Sequence, residues 1–177
     1  LWADEARVFA PAIDLGSPGP DVRPGQILYG FWDATNGPAI PGSEGGGQAA
    51  PAGRWMSAVG AVILKRPPGA TRLLIDLVLP ESAAALQRTP GTLQVTLSAP
   101  PRRCGVESLH VGVDHPAVAT TPGKMARLGL DLPASLEGAD PIEIELSVDQ
   151  PFQATYLIPD TRDPRLVSFL VRRIWLE

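Results

Sequence analysis

Cysteine is nearly absent: Cys104 is the only one in 177 residues. A single thiol can form no intrachain disulfide and no multi-cysteine zinc cage, so the fold must stand on packing alone. Histidine is as scarce, with two residues. Both fall in "ESLHVGVDH", where His110, Asp114 and Glu107 supply no third committed ligand at a recognisable spacing; the reading is no metal and no cofactor. A long apolar run is also missing, since nothing approaches the ~18 to 20 residues that span a bilayer, and "LWADEARVF" lacks the zones of a signal peptide. No direct membrane span is therefore expected in this chain. Its start at Leu1 rather than Met leaves room for a partner domain or anchor upstream. Finally there is no basic excess: 15 Lys and Arg against 19 Asp and Glu give 15 − 19 = −4. The cations are scattered and form no stripe, which argues against nucleic acid as a partner.

What is present is turn chemistry between apolar runs. Twenty prolines and 18 glycines cluster in separators such as "KRPPGA", "RTPG" and "EGADP", where proline fixes φ and glycine permits positive φ. Between them, Leu93, Val95 and Leu97 alternate with Gln94 and Thr96, and Ile142, Ile144, Leu146 and Val148 alternate with Glu143, Glu145 and Ser147. A period of two marks strands with one buried face. "VGAVIL" and "TRLLIDLVL" are apolar on both faces, as in strands covered on two sides. Only "PESAAALQR" reads as helix. The expected fold is all-β: an antiparallel two-sheet β-sandwich, jelly-roll-like, with at most one short helix near 81–88. Residues 1–25 form an extended N-terminal segment or edge strand, and 26–177 the β-sandwich domain.

The pattern "LYGFW…E…GRWM…AVILK", followed by "LLIDLVL", "LQVTLS", "IEIELSV" and "PFQATYLIPDTRDPRLVSFLVRRIWLE", resembles the β-sandwich accessory domains associated with bacterial cell-surface glycan enzymes such as glycosyltransferases. The chain departs from that family in its long glycine-rich loop between Trp32 and Arg54, and in Val167-Ser168 where a Leu-Gly pair is common. The resemblance implies a noncatalytic module that binds or positions glycan in a bacterial cell envelope system, and it carries over no catalytic residue.

Glycan sites need flat rings for the apolar faces of sugars and polar groups for the hydroxyls. The rings nearest the glycine-rich loop are Tyr29, Phe31, Trp32 and Trp55. Strand parity puts Tyr29 and Phe31 on one face and Trp32 on the other, at the loop mouth, where it is the first choice for a platform. Trp55 has two readings, core residue or ligand contact. Arg54 either reaches a ligand or ties the loop base to the "PDTRDPR" turn by an ion pair. The candidate ligand-binding set is Trp32, Asp33, Glu44, Arg54, Trp55 and Asp163, with no catalytic residue assigned. The leading function is a noncatalytic carbohydrate-binding module. Its alternative is a structural or docking domain for protein–protein assembly, and a third reading is a carboxylate-dependent glycoside hydrolase.

Overall fold

The computed structural model describes residues 9–16, 25–32, 53–78, 92–99, 109–114, 125–149, 151–153 and 164–177, with the backbone alone at 92 and 109–114. Eleven strands make up almost all of it: β1 (Ala12–Asp14), β2 (Ile27–Phe31), β3 (Arg54–Leu64), β4 (Arg72–Val78), β5 (Thr92–Ser98), β6 (Leu109–Asp114), β7 (Met125–Asp131), β8 (Ile142–Val148), β9 (Phe152–Gln153), β10 (Leu166–Val167) and β11 (Leu170–Leu176). A 3₁₀ turn at Ala134–Leu136 is the one helical element among the described residues. The segment read as a helix near 81–88 lies outside them.

Every pairing is antiparallel, and hydrogen bonds run without a break along β6-β5-β8-β3-β11-β4-β7. The long strand β3 divides this path into two layers. Its first residues, Arg54 and Trp55, pair with β11, whereas Val59 to Leu64 pair with β8. Sheet I is thus β1 and β11, β4 and β7, and sheet II is β2-β3-β8-β5-β6. One core joins them: Leu73, Ile75 and Leu77 of β4 and Ile174 of β11 meet Val62 and Leu64 of β3, Leu93, Val95 and Leu97 of β5, and Ile142, Ile144 and Leu146 of β8. All of these are buried, and each large aliphatic side chain so removed from water contributes ~1.5 to 3 kcal/mol. The architecture is the all-β antiparallel sandwich that the alternating segments imply.

The outer face of sheet I explains why β4 looks apolar on both sides. Its rows read Asp14, Arg173, Asp76, Arg127; then Ala12, Trp175, Leu74, Gly129; and then Arg72 beside Asp131. Opposite charges alternate across neighbouring strands, which is the favourable arrangement for cross-strand pairs. Arg127 donates from Nε and Nη2 to the two carboxylate oxygens of Asp76 at 2.7 and 2.9 Å. Both Arg127 and Arg173 lie 4.9 Å from the Trp175 ring centroid. Leu74, the outward leucine of this row, lies beside Trp175 and near the Arg72 guanidinium and is 6% exposed.

Candidate functional site

Two regions carry the chemistry that the sequence points to. At the base of the glycine-rich loop, Trp32 continues β2 by donating its backbone N–H to the Trp55 carbonyl at 2.9 Å. The Trp32 indole Nε1 donates to the Leu166 carbonyl at 3.2 Å, and Arg165 sits 5.0 Å over the ring. Trp32 is half-buried and packs on the core edge. One face of its ring is therefore covered by a guanidinium and its polar edge is engaged. Trp55 is 3% exposed and meets Phe152 edge-on at 6.4 Å, so it presents no ring face to a ligand. Arg54 is half-buried beside it and opposite Val171. Asp33, Glu44 and Asp163 lie outside the described residues, so the structure brings together only Trp32, Arg54 and Trp55 of the six candidates.

The second region is the outer face of sheet II. Its central row runs Tyr29, Ala61, Glu145 and Thr96 across β2, β3, β8 and β5. Val59, Ser147, Gln94 and Gly112 form the next row. The Tyr29 hydroxyl hydrogen-bonds Glu145 Oε2, although β3 stands between their strands. Two strand spacings amount to ~10 Å, so the side chain reaches its partner only by lying across β3 over Ala61. Ala61 is accordingly 0% exposed while Tyr29 is 43% exposed. The result is a partly exposed phenol laid across the sheet, with its hydroxyl held by a carboxylate. Beyond Glu145, Gln94, Ser147, Val148 and Asp149 line a shallow depression of about 220 Å³.

Sequence parity misplaces this ring, because Gly30 breaks the period. Its φ is +81°, and a Cβ there would stand 1.9 Å from the Val59 carbonyl oxygen. The register shifts on either side of Tyr29. As a result Tyr29 turns outward, while Phe31 turns inward over Gly60 and packs on the core. The expectation that these two rings share a face is corrected on that ground: a positive-φ glycine between them rotates the chain. Trp175, which the sequence pattern did not single out, is another partly exposed ring among the described residues, flanked by two arginines.

A larger depression of about 390 Å³ lies elsewhere, among Arg66, Pro68, Thr71, Glu137 and Asp140. It has size but no ring. Its guanidinium is spent on backbone: Arg66 donates to the Ala70 carbonyl at 2.8 and 3.2 Å and to the Leu136 carbonyl. Arg66 therefore clamps the β3–β4 turn to the 3₁₀ turn. Among the described residues no group of three His, Cys, Asp or Glu could hold a metal ion, and no helix is long and apolar enough to cross a membrane.

No family model matches the chain, and no curated protein matches it. Among solved structures it is similar to the CBM51-2 and INT domains of Clostridium perfringens ZmpB in complex with GlcNAc, with a TM-score of 0.35 and 10% identity over 88% of this chain and 28% of that one. It is also similar to the M60 catalytic domain with the CBM51-1 and CBM51-2 domains of the same protein, with a TM-score of 0.35 and 10% identity over 96% of this chain and 16% of that one. A third is the N-terminal CBM22-1-CBM22-2 tandem domain of Paenibacillus barcinonensis Xyn10C, with a TM-score of 0.35 and 11% identity over 93% of this chain and 49% of that one. The chain spans less than half the length of each of these structures.

Proposed function

We propose that the chain is a noncatalytic carbohydrate-binding module whose ligand lies on the outer face of sheet II, stacked on Tyr29. The observation that carries this reading is the exposed Tyr29 ring reaching across β3 past Ala61 and tied to Glu145. A pyranose offers a flat patch of C–H groups on one side and equatorial hydroxyls at its rim. The ring would take the patch, and Glu145, Gln94 and Ser147 in the adjoining row supply acceptors and donors for the hydroxyls. An open sheet face of this kind suits a chain of sugars better than a single enclosed one. Trp32 and Arg54 form a secondary contact in the same reading, at the loop base, where Asp33, Glu44 and Asp163 follow in sequence. The resemblance to envelope accessory domains adds the setting: a bacterial cell-surface glycan system in which this module accompanies a glycosyltransferase or similar enzyme.

Isothermal titration against a panel of neutral and charged oligosaccharides tests the proposal. The expected result is micromolar to millimolar binding of at least one glycan, abolished by Tyr29→Ala and reduced by a smaller factor by Trp32→Ala. Absence of binding across the panel, or unchanged binding by folded Tyr29→Ala, would overturn it.

A further inference from the structure

We infer that β7 is a self-complementary edge through which two copies of this chain pair. Among the described strands it is a free sheet edge, bonded only to β4 over seven continuous residue pairs with no bulge. The direction of its hydrogen bonds follows from one contact: Leu132 N–H donates to the Thr71 carbonyl at 2.7 Å. Thr71 and Leu132 extend the Arg72–Asp131 register by one position. Since bonded and non-bonded pairs alternate in an antiparallel ladder, Leu130, Leu128 and Ala126 turn their amides toward β4. Met125, Arg127, Gly129 and Asp131 therefore aim theirs outward, at an open edge.

Protected edges carry a bulge, a proline or an inward charge. Apart from β6, which is bonded only to β5, the other described edges use such devices or are short: β2 is broken at Gly30, and β1 has three residues. By contrast β7 has none of these, and its side chains read as complements of themselves. A two-fold axis through Gly129 sets Arg127 opposite the second copy's Asp131, Gly129 opposite itself, and Leu128 opposite Leu130. Each outward-facing pair would exchange two N–H···O bonds. The Asp131 side chain is 91% exposed and that of Arg127 58%, so the second copy's Asp131 would meet the exposed part of a guanidinium whose Nε and Nη2 already hold Asp76.

Charge complementarity extends beyond that contact. The row Asp14, Arg173, Asp76, Arg127 would continue into Asp131 and Arg72 of the second copy, keeping strict alternation of sign across the junction. Because the contact is isologous, the other row gains the same continuation. On the inner side Ala126, Leu128 and Leu130 are only half-buried and pack at the margin of the core. A neighbouring strand would cover them. A second copy thus satisfies the amides, the charges and the apolar margin of β7 together.

Sedimentation equilibrium of the full chain, with reductant present so that Cys104 contributes nothing, tests this. The expected result is a species of about twice 18.7 kDa that dissociates on dilution and at high salt. Asp131→Arg places like charges opposite each other at both ends of the interface, and should raise the dissociation constant about tenfold or more. Circular dichroism of that variant should match the wild type, because Asp131 is exposed and contacts Arg72 only at 3.5 Å. A second readout needs no variant: hydrogen exchange at the Arg127, Gly129 and Asp131 amides should slow with protein concentration while that of β2 does not. A monomer at every concentration up to ~100 µM, a dimer indifferent to Asp131→Arg, or concentration-independent exchange at β7 would overturn the inference.

Discussion

Gly30 and Tyr29 show how a single residue sets the chemistry of a surface. With φ at +81° and the Val59 carbonyl oxygen 1.9 Å from where a Cβ would sit, Gly30→Ala cannot be absorbed by moving a flexible side chain. It forces the backbone of β2 away from β3. The expected cost is about 3 kcal/mol or more, read from urea midpoints, with loss of the outward set of Tyr29. At Tyr29 two substitutions separate ring from hydroxyl. Tyr29→Ala removes the platform and should abolish glycan binding. Tyr29→Phe keeps the ring, loses the Glu145 bond, and should weaken binding by about tenfold or less in the same titration. The sequence contains every one of these residues, yet parity counting put Tyr29 and Phe31 together. Alternation assumes an unbroken pleat, and whether a strand glycine is a bulge depends on the partner backbone it approaches. That partner, Val59, is 29 residues further along the chain.

At the scale of the element, β4 is the informative case. Read alone, "TRLLIDLVL" is a strand apolar on both faces, and a second protein layer is the obvious cover. Its outward Leu74 lies beside Trp175 and near the Arg72 guanidinium, while Asp76 is 4% exposed and held by Arg127. A nearly buried carboxylate depends on its cation. Arg127→Met should therefore lower the melting temperature by several degrees, because Asp76 loses its two hydrogen bonds and is left a nearly buried carboxylate without its cation. Asp76→Leu combined with Arg127→Met should recover most of that loss, and a thermodynamic cycle of the two checks it. The pairing holds the Arg127 guanidinium above its ordinary pKa, mainly through the hydrogen bonds to Asp76. A raised pKa means stability fully present below the unfolded value and lost only as pH rises through the folded one. Thermal midpoints should therefore show no contribution from this pair to any decline between neutral and moderately alkaline pH. The strands with simple alternation, β5 and β8, were legible from sequence because burial on one face alone decides their pattern. For β4, the outward neighbours Arg127 and Trp175 come from strands far along the chain.

For the whole molecule, the decisive feature is that β3 belongs to both layers. Its first residues bond β11 and its last bond β8, and the two sheets share one core. Neither layer retains its hydrophobic face without the other, so the sandwich should unfold as a unit rather than sheet by sheet. The two-layer class was readable because turn signals punctuate short alternating runs. The strand order was not, since pairing of β3 with β11 joins Trp55 to Leu170 across most of the chain. Met56 stands where β3 changes layer: it is 0% exposed, its N–H donates to the Phe169 carbonyl at 2.8 Å, and its carbonyl accepts from Ser168 N–H at 2.8 Å. Met56→Ala keeps those backbone bonds and leaves a cavity at the junction, at an expected cost of ~2 to 5 kcal/mol. If the layers are one cooperative unit, far-ultraviolet dichroism and tryptophan fluorescence of this variant should shift to lower denaturant together and remain superimposable. Transitions that separate, with one signal lost at wild-type denaturant, would mean that one sheet survives the other and that β3 does not couple them.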